Sequence, residues 1–92
     1  MKTRHRIKIS ARCPVNGDAD LYEATVYPVG LLYCERIVEA VAKLDPVANP
    51  ITQEALTQKL ADALMCKVKT VGTHCQRRVT TTIVCLPSIK PQ

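Results

Sequence analysis

The sequence contains no Trp and no Phe, and three tyrosines are its whole complement of large aromatics. A row of exposed aromatics on which bases stack is thereby excluded, and with it the common single-strand-binding platforms. No run of about 20 apolar residues occurs, which excludes a spanning helix. The five cysteines fall at positions 13, 34, 66, 75 and 85. None forms a CxxC pair, and none stands at structural-zinc spacing from a histidine. The amino terminus is charged and no apolar run follows it, so nothing resembles a secretory leader. An odd, irregular cysteine set without an export signal predicts a cytoplasmic, reducing setting and free thiols. Acidic residues are missing from both ends. Residues 1–12 carry Lys2, Arg4, Arg6, Lys8 and Arg12 without an acid, and residues 67–92 carry five bases without one. All eight acids lie in residues 13–66, against three bases. The net charge of +5 is thus segregated into basic ends around an acidic middle. That pattern suits an anionic ligand or an RNA partner, and equally a solvated basic face.

The 92 residues, 47% of them apolar, make a single domain, 1–92, with a small interior that contacts between chains would help to complete. Arg4, Arg6 and Lys8 alternate with His5, Ile7 and Ile9, the period of a half-exposed strand. Pro14 and the NGD turn end it. LYEATVY, residues 21–27, reads as a second strand, closed by Pro28 and Gly30. Leu31, Cys34, Ile37, Val38, Val41 and Leu44 then recur every three to four residues and predict a helix over 31–44. DPVANP breaks it. A second helix starts near Thr52, with Thr52 or Asn49 as its N-cap. Its apolar stripe is Leu56, Leu60 and Leu64 with Ala55 and Ala63. Residues 67–74 and 78–85 read as two more strands, and residues 1–6 and 86–92 are expected to fray. The order ββααββ predicts an α+β fold: a four-stranded antiparallel sheet with both helices on one face. An edge strand four without evident protection points to pairing with another chain.

Two chemical readings of CPVNGDAD, residues 13–20, stand side by side. In one, Cys13 is a packed thiol beside a turn aspartate. In the other, Cys13 and Asp20 meet across a hairpin mouth as a nucleophile and its proton donor, with Asp18 only shaping the turn. Glu54 opens the second helix, where an acid favours the helix dipole; a carboxylate there also matches the two adjacent N–H donors of a guanine-type ring. His74 and Cys75 are adjacent on a strand and point to opposite faces, so they do not form a two-ligand metal site. Cys34, Cys66 and Cys85 read as packing residues.

The ββααββ order, the spacing of Cys13, Pro14 and Asp20, and Glu54 at the start of the second helix together resemble the tunnelling fold (T-fold). CPVNGDADLYEATV is similar to the QueF family of 7-deazaguanine enzymes. ERIVEAVAKL, TQEALTQKLADAL and THCQRRVTTT look more like GTP cyclohydrolase I. The resemblance covers about residues 7–85. It implies that Cys13 is the nucleophile that attacks a nitrile carbon and Asp20 the acid that protonates the nitrile nitrogen. It makes Glu54, with Gln53 before it, the anchor for a purine or pterin edge. It also implies a homo-oligomeric barrel with sites at subunit interfaces, Cys13 and Asp20 coming from one chain and Glu54 from its neighbour.

The departures narrow this expectation. LLYCERIVEA does not match the NADPH-binding stretch of the nitrile reductases. Pro14, Val15 and Asn16 replace the Cys-Glu-His-His run that GTP cyclohydrolase uses for its zinc. The sequence therefore resembles most the QueF-like amidinotransferases, which need neither cofactor nor metal. These convert the nitrile of 7-cyano-7-deazaguanine within tRNA to an amidine with ammonia. The partners implied are a free 7-deazaguanine or tRNA carrying it, ammonia, and no membrane. Arg4, Arg6, Lys8, Arg77 and Arg78 are the candidate phosphate contacts. The alternatives are another T-fold purine or pterin enzyme, of the nitrile reductase or GTP cyclohydrolase type, a purine-binding module without catalysis, and a basic RNA-binding or assembly protein.

Overall fold

The computed structural model describes residues 2–88. Four strands and two helices follow in the order β1 (His5–Arg12), β2 (Ala19–Tyr27), α1 (Cys34–Leu44), α2 (Gln53–Leu64), β3 (Lys67–His74) and β4 (Val79–Cys85). The sheet runs β1-β2-β3-β4 and every neighbour is antiparallel. Alternation places Ile9 and Ala11 of β1, Tyr22, Ala24 and Val26 of β2, and Val68 and Thr70 of β3 inside. Helix α2 packs over β3 and β4, and α1 packs on α2. The core closes with Ile37 and Ala40 of α1 and Leu56, Leu60, Ala61 and Leu64 of α2. Among the described residues no helix is long and apolar enough to cross a membrane.

Helix α1 begins three residues later than the 31–44 periodicity predicts. Leu31 and Cys34 are exposed, while Leu32 packs against the core from extended chain. Tyr33 is the N-cap and offers no side-chain cap. The spacing of Leu31 and Cys34 thus matches a helix face by coincidence, because neither side chain is buried. Helix α2 starts where expected: the Thr52 hydroxyl accepts from the Ala55 N–H at 3.2 Å. Its stripe uses Ala61 in place of Ala63, which is exposed. Both helices end on a left-handed residue, Asp45 and Met65.

The ends expected to fray carry contacts. His5 and Arg6 pair with Val26 and Thr25. At the other end the Asp62 carboxylate accepts from the Ser88 N–H and hydroxyl at 2.7 and 2.8 Å. Leu86 O accepts from Gln58 Nε2 at 2.8 Å. Met1 and residues 89–92 lie outside the described residues. All five cysteines are free thiols.

Two features of the sheet prepare the site. The β2–β3 ladder stops at Tyr22 and Gly72, although β2 continues to Ala19 and β3 to His74. The two hairpins therefore separate at one end of the sheet and leave a cleft between their tips. In addition, the outer edge of β1 is tied to the α1–α2 connection: Arg12 N donates to Pro46 O at 3.0 Å, and Ile51 N donates to Arg12 O at 3.1 Å. Those two bonds carry the start of α2 to the end of β1.

Candidate functional site

The β1–β2 turn is closed by its own backbone. Cys13 N donates to Asp18 O at 2.8 Å and Gly17 N to Cys13 O at 2.9 Å. Gly17 has φ +75°, a left-handed value that suits glycine. The Asn16 side chain accepts from Asp18 N, and Arg12 Nη1 donates to Gly17 O. This geometry corrects the expected facing of Cys13 and Asp20 across the mouth. Asp18 is the residue opposite Cys13, because the turn spans residues 13–18, and Asp20 stands opposite Ala11. Cys13 follows Ile9 and Ala11 in the alternation, and Asp20 precedes Tyr22, so both are offered to the helix-covered face.

On that face a cavity of about 240 Å3 is lined by Cys13, Asp20, Tyr22, Ile51, Thr52, Gln53, Glu54, His74 and Thr81. One chain thus supplies Cys13, Asp20 and Glu54 to the same cavity. The resemblance divided them between two chains; the ties from Arg12 to Pro46 and Ile51 make that division unnecessary for bringing them together. Beside it lies the open cleft between the hairpins, about 1120 Å3, whose walls include Lys8, Arg77 and Arg78. Cys13, Asp20, Tyr22 and His74 line both spaces and stand at their junction.

Tyr22 is the structural centre. Its hydroxyl donates to Asp20 Oδ2 at 3.0 Å, and its ring is 1% exposed. Burial, then the hydrogen bond and charge of Asp20, then the nearby Cys13 and Glu54, push its hydroxyl far above the ordinary phenol range. It therefore remains a proton-bearing donor that orients the Asp20 carboxyl. Gly72 pairs with Tyr22 across the strands, and a Cβ there would overlap the Tyr22 ring.

Beneath the cavity runs a closed ring of hydrogen bonds. Thr57 Oγ1 donates to Gln53 O at 2.7 Å, since a carbonyl only accepts. The 2.6 Å contact between the Thr57 and Thr70 hydroxyls must then use the Thr70 proton. Thr70 Oγ1 in turn accepts from Gln53 Nε2 at 3.1 Å. Gln53 Nε2 also donates to Thr81 O at 3.0 Å. The amide orientation of Gln53 is thereby fixed, and its Oε1 faces His74 Nε2 at 2.7 Å. Gln53, 3% exposed, is thus a scaffold residue that places His74 and frames the cavity.

The basic residues singled out in the sequence do not gather at one place. Lys8, Arg77 and Arg78 line the cleft. Arg4 lies over the Tyr27 ring, 5.3 Å from its centroid. Arg6 pairs with Thr25, on the side of Lys8 away from the cleft. The β3–β4 turn holds Cys75, Gln76 and Arg77 at left-handed φ of 54°, 58° and 69°, and the Arg78 N–H closes it onto Cys75 O. Sequence reasoning passed over Tyr22 and weighed His74 only as a metal ligand beside Cys75. The signal for each was its parity: Tyr22 is two residues from Asp20, and His74 is two from the buried Gly72. Among the described residues no three His, Cys, Asp or Glu side chains cluster as metal ligands. No protein-family model, curated protein or solved structure matches this chain.

Proposed function

We propose that this chain is a nitrile-processing enzyme of the T-fold, QueF-like type. It acts on 7-cyano-7-deazaguanine, free or within tRNA, and converts the nitrile to an amidine with ammonia. The observation that carries the proposal is the convergence of Cys13 and Asp20, from the β1–β2 hairpin, and Glu54, from the start of α2, on one small cavity that Tyr22 also lines. At about 240 Å3 the cavity is below the roughly 300–1,000 Å3 of pockets for drug-sized ligands, which suits a bicyclic base. Glu54, at the rim, accepts the paired N–H donors of the guanine-type edge.

The Cys13 thiolate adds to the nitrile carbon and forms a C–S bond. Asp20 protonates the nitrogen as the triple bond becomes a C=N bond, giving a thioimide. Ammonia adds to the same carbon, the C–S bond breaks, and the thiolate leaves the amidine behind. No oxidant or reductant enters. The thioimide is more electrophilic than the nitrile, which is what covalent catalysis contributes. The cleft beside the cavity, with Lys8, Arg77 and Arg78 on its walls, gives the phosphates of a tRNA substrate a place to lie. Assembly into a homo-oligomeric barrel belongs to the same proposal, with β1 and β4 as the outer strands that would pair.

The test is intact-protein mass spectrometry after incubation with 7-cyano-7-deazaguanine. The wild-type chain gains the mass of the nitrile and Cys13→Ala does not. An adduct that persists in Cys13→Ala refutes the scheme, and binding of the base without any adduct marks a non-catalytic module instead.

A further inference from the structure

We propose that His74 is a catalytic base of this site, taking a proton at Nδ1 from the amine that displaces the Cys13 thiol. The inference rests on the nitrile-processing reading above and adds a residue that reading does not use. Three observations carry it. First, His74 lines both the small cavity and the open cleft, so it stands where a nucleophile arriving from solvent meets the covalent intermediate. Second, its tautomer is determined. Gln53 Nε2 is committed to the oxygens of Thr70 and Thr81, which leaves Oε1 toward the imidazole. An oxygen acceptor 2.7 Å from Nε2 requires the hydrogen on Nε2. The neutral ring then carries its lone pair on Nδ1. Third, Nδ1 makes no hydrogen bond among the described residues and is not sealed from solvent. In the neutral ring that nitrogen can remove a proton and has none to supply. This divides the labour at the junction: Asp20, held by the Tyr22 hydroxyl, gives the proton to the nitrile nitrogen, and His74 takes one from the incoming amine.

The balance is simple. Ammonia is mostly ammonium at neutral pH and is not nucleophilic until it loses a proton. Nδ1 accepts that proton and frees the lone pair; the ammonia so formed makes the C–N bond as the C–S bond breaks, leaving the amidinium and the Cys13 thiolate. The imidazolium then returns its proton to the Cys13 thiolate, which restores the thiol and the neutral ring. Gln53 holds the imidazolium as well as the imidazole, since Nε2–H donates to Oε1 in both.

The experiment forms the Cys13 adduct with 7-cyano-7-deazaguanine in the wild-type chain and in His74→Gln and His74→Asn. Excess nitrile is then removed, and loss of the adduct is followed by mass after addition of ammonium or of hydroxylamine. Hydroxylamine is already unprotonated at neutral pH and needs no base. The expected result, measured on the adduct that each variant forms, is a loss of about 10²-fold in the ammonium rate and a hydroxylamine rate within about threefold of wild type. Equal slowing by both nucleophiles, or no slowing by ammonium, overturns the role of His74 while leaving the adduct chemistry intact. Failure of the wild-type chain to form any adduct overturns the nitrile reading itself. Circular dichroism of both variants, together with their ability to form the adduct, separates a lost base from a lost fold.

Discussion

Replacing Gly72 with alanine should destabilise the protein by about 2 kcal/mol, even though alanine is the better strand residue. Gly72 lies directly across from Tyr22, and an added Cβ would fall on Cδ1 and Cε1 of the ring. The same Cβ would sit 3.4 Å from Gln53 Oε1, so nearly all of the overlap is with the tyrosine. The ring is 1% exposed and its hydroxyl is held by Asp20 at 3.0 Å, which leaves it little freedom to move aside. Overpacking of this kind costs about 1–3 kcal/mol. Moving the hydroxyl away from a half-buried carboxylate adds roughly 1 kcal/mol, the low side of a charged hydrogen bond because water can replace it. Relief of the glycine penalty returns about 0.5–1 kcal/mol. The chain as a whole has on the order of 5–14 kcal/mol at the usual per-residue stability, so the variant still folds. Urea unfolding should show a lower midpoint with an unchanged slope. The decisive comparison uses Tyr22→Val, which has no atom at the position of the ring. In that background Gly72→Ala should stabilise by about 0.5–1 kcal/mol, a reversal of sign. A cost of the same size in both backgrounds would refute the steric argument, as would a single variant as stable as wild type.

Two further outcomes follow from the polar groups. Gln53→Glu sets a carboxylate against the carbonyls of Thr70 and Thr81 in a position that is 3% exposed. It should cost about 3 kcal/mol near neutral pH. Burial raises the pKa of such a carboxyl, so the folded form prefers it protonated and the loss should shrink as pH falls; urea midpoints that do not move between pH 8 and pH 5 would contradict this (values on the order expected for a raised carboxyl). The Asp62 carboxylate is held below the usual carboxylate range by the Ser88 N–H, then by the Ser88 hydroxyl and Gln58. A lowered folded pKa means that the tether of Ser88 is complete above the ordinary carboxylate pKa and is lost as pH falls through the lowered value. The Ser88 amide proton shift should titrate in that acidic window and stay flat in Asp62→Asn, and a flat wild-type shift would be the contrary result.

Much of the architecture was legible because it is written in local periods. Alternation in β1, β-branched and aromatic residues in β2, the β-branched run in β4, and the Thr52 cap are properties of a few neighbouring residues, and each appears where the pattern places it. The start of α1 was not legible, since Leu31 and Cys34 repeat at helical spacing while remaining exposed. The basic residues show the same limit. Lys8, Arg77 and Arg78 share the cleft, whereas Arg4 stacks on Tyr27. Charge counts record how many bases a segment has, and strand register decides which wall they reach.

The candidate site divides along the same line. By itself the sequence determined that Cys13 and Asp20 flank one turn, and that Glu54 opens a helix. These are consequences of spacing, and they hold whatever the chain packs against. Only the tertiary structure decided that Glu54 lines the same cavity as Cys13, because that depends on the bonds from Arg12 to Pro46 and Ile51, more than thirty residues away in the chain. Only the tertiary structure placed His74 at the junction, because the β2–β3 ladder ends at Tyr22 and Gly72 and Gln53 holds the imidazole there. Local pattern fixes which face a side chain takes; register and long-range closure fix which other side chains it finds.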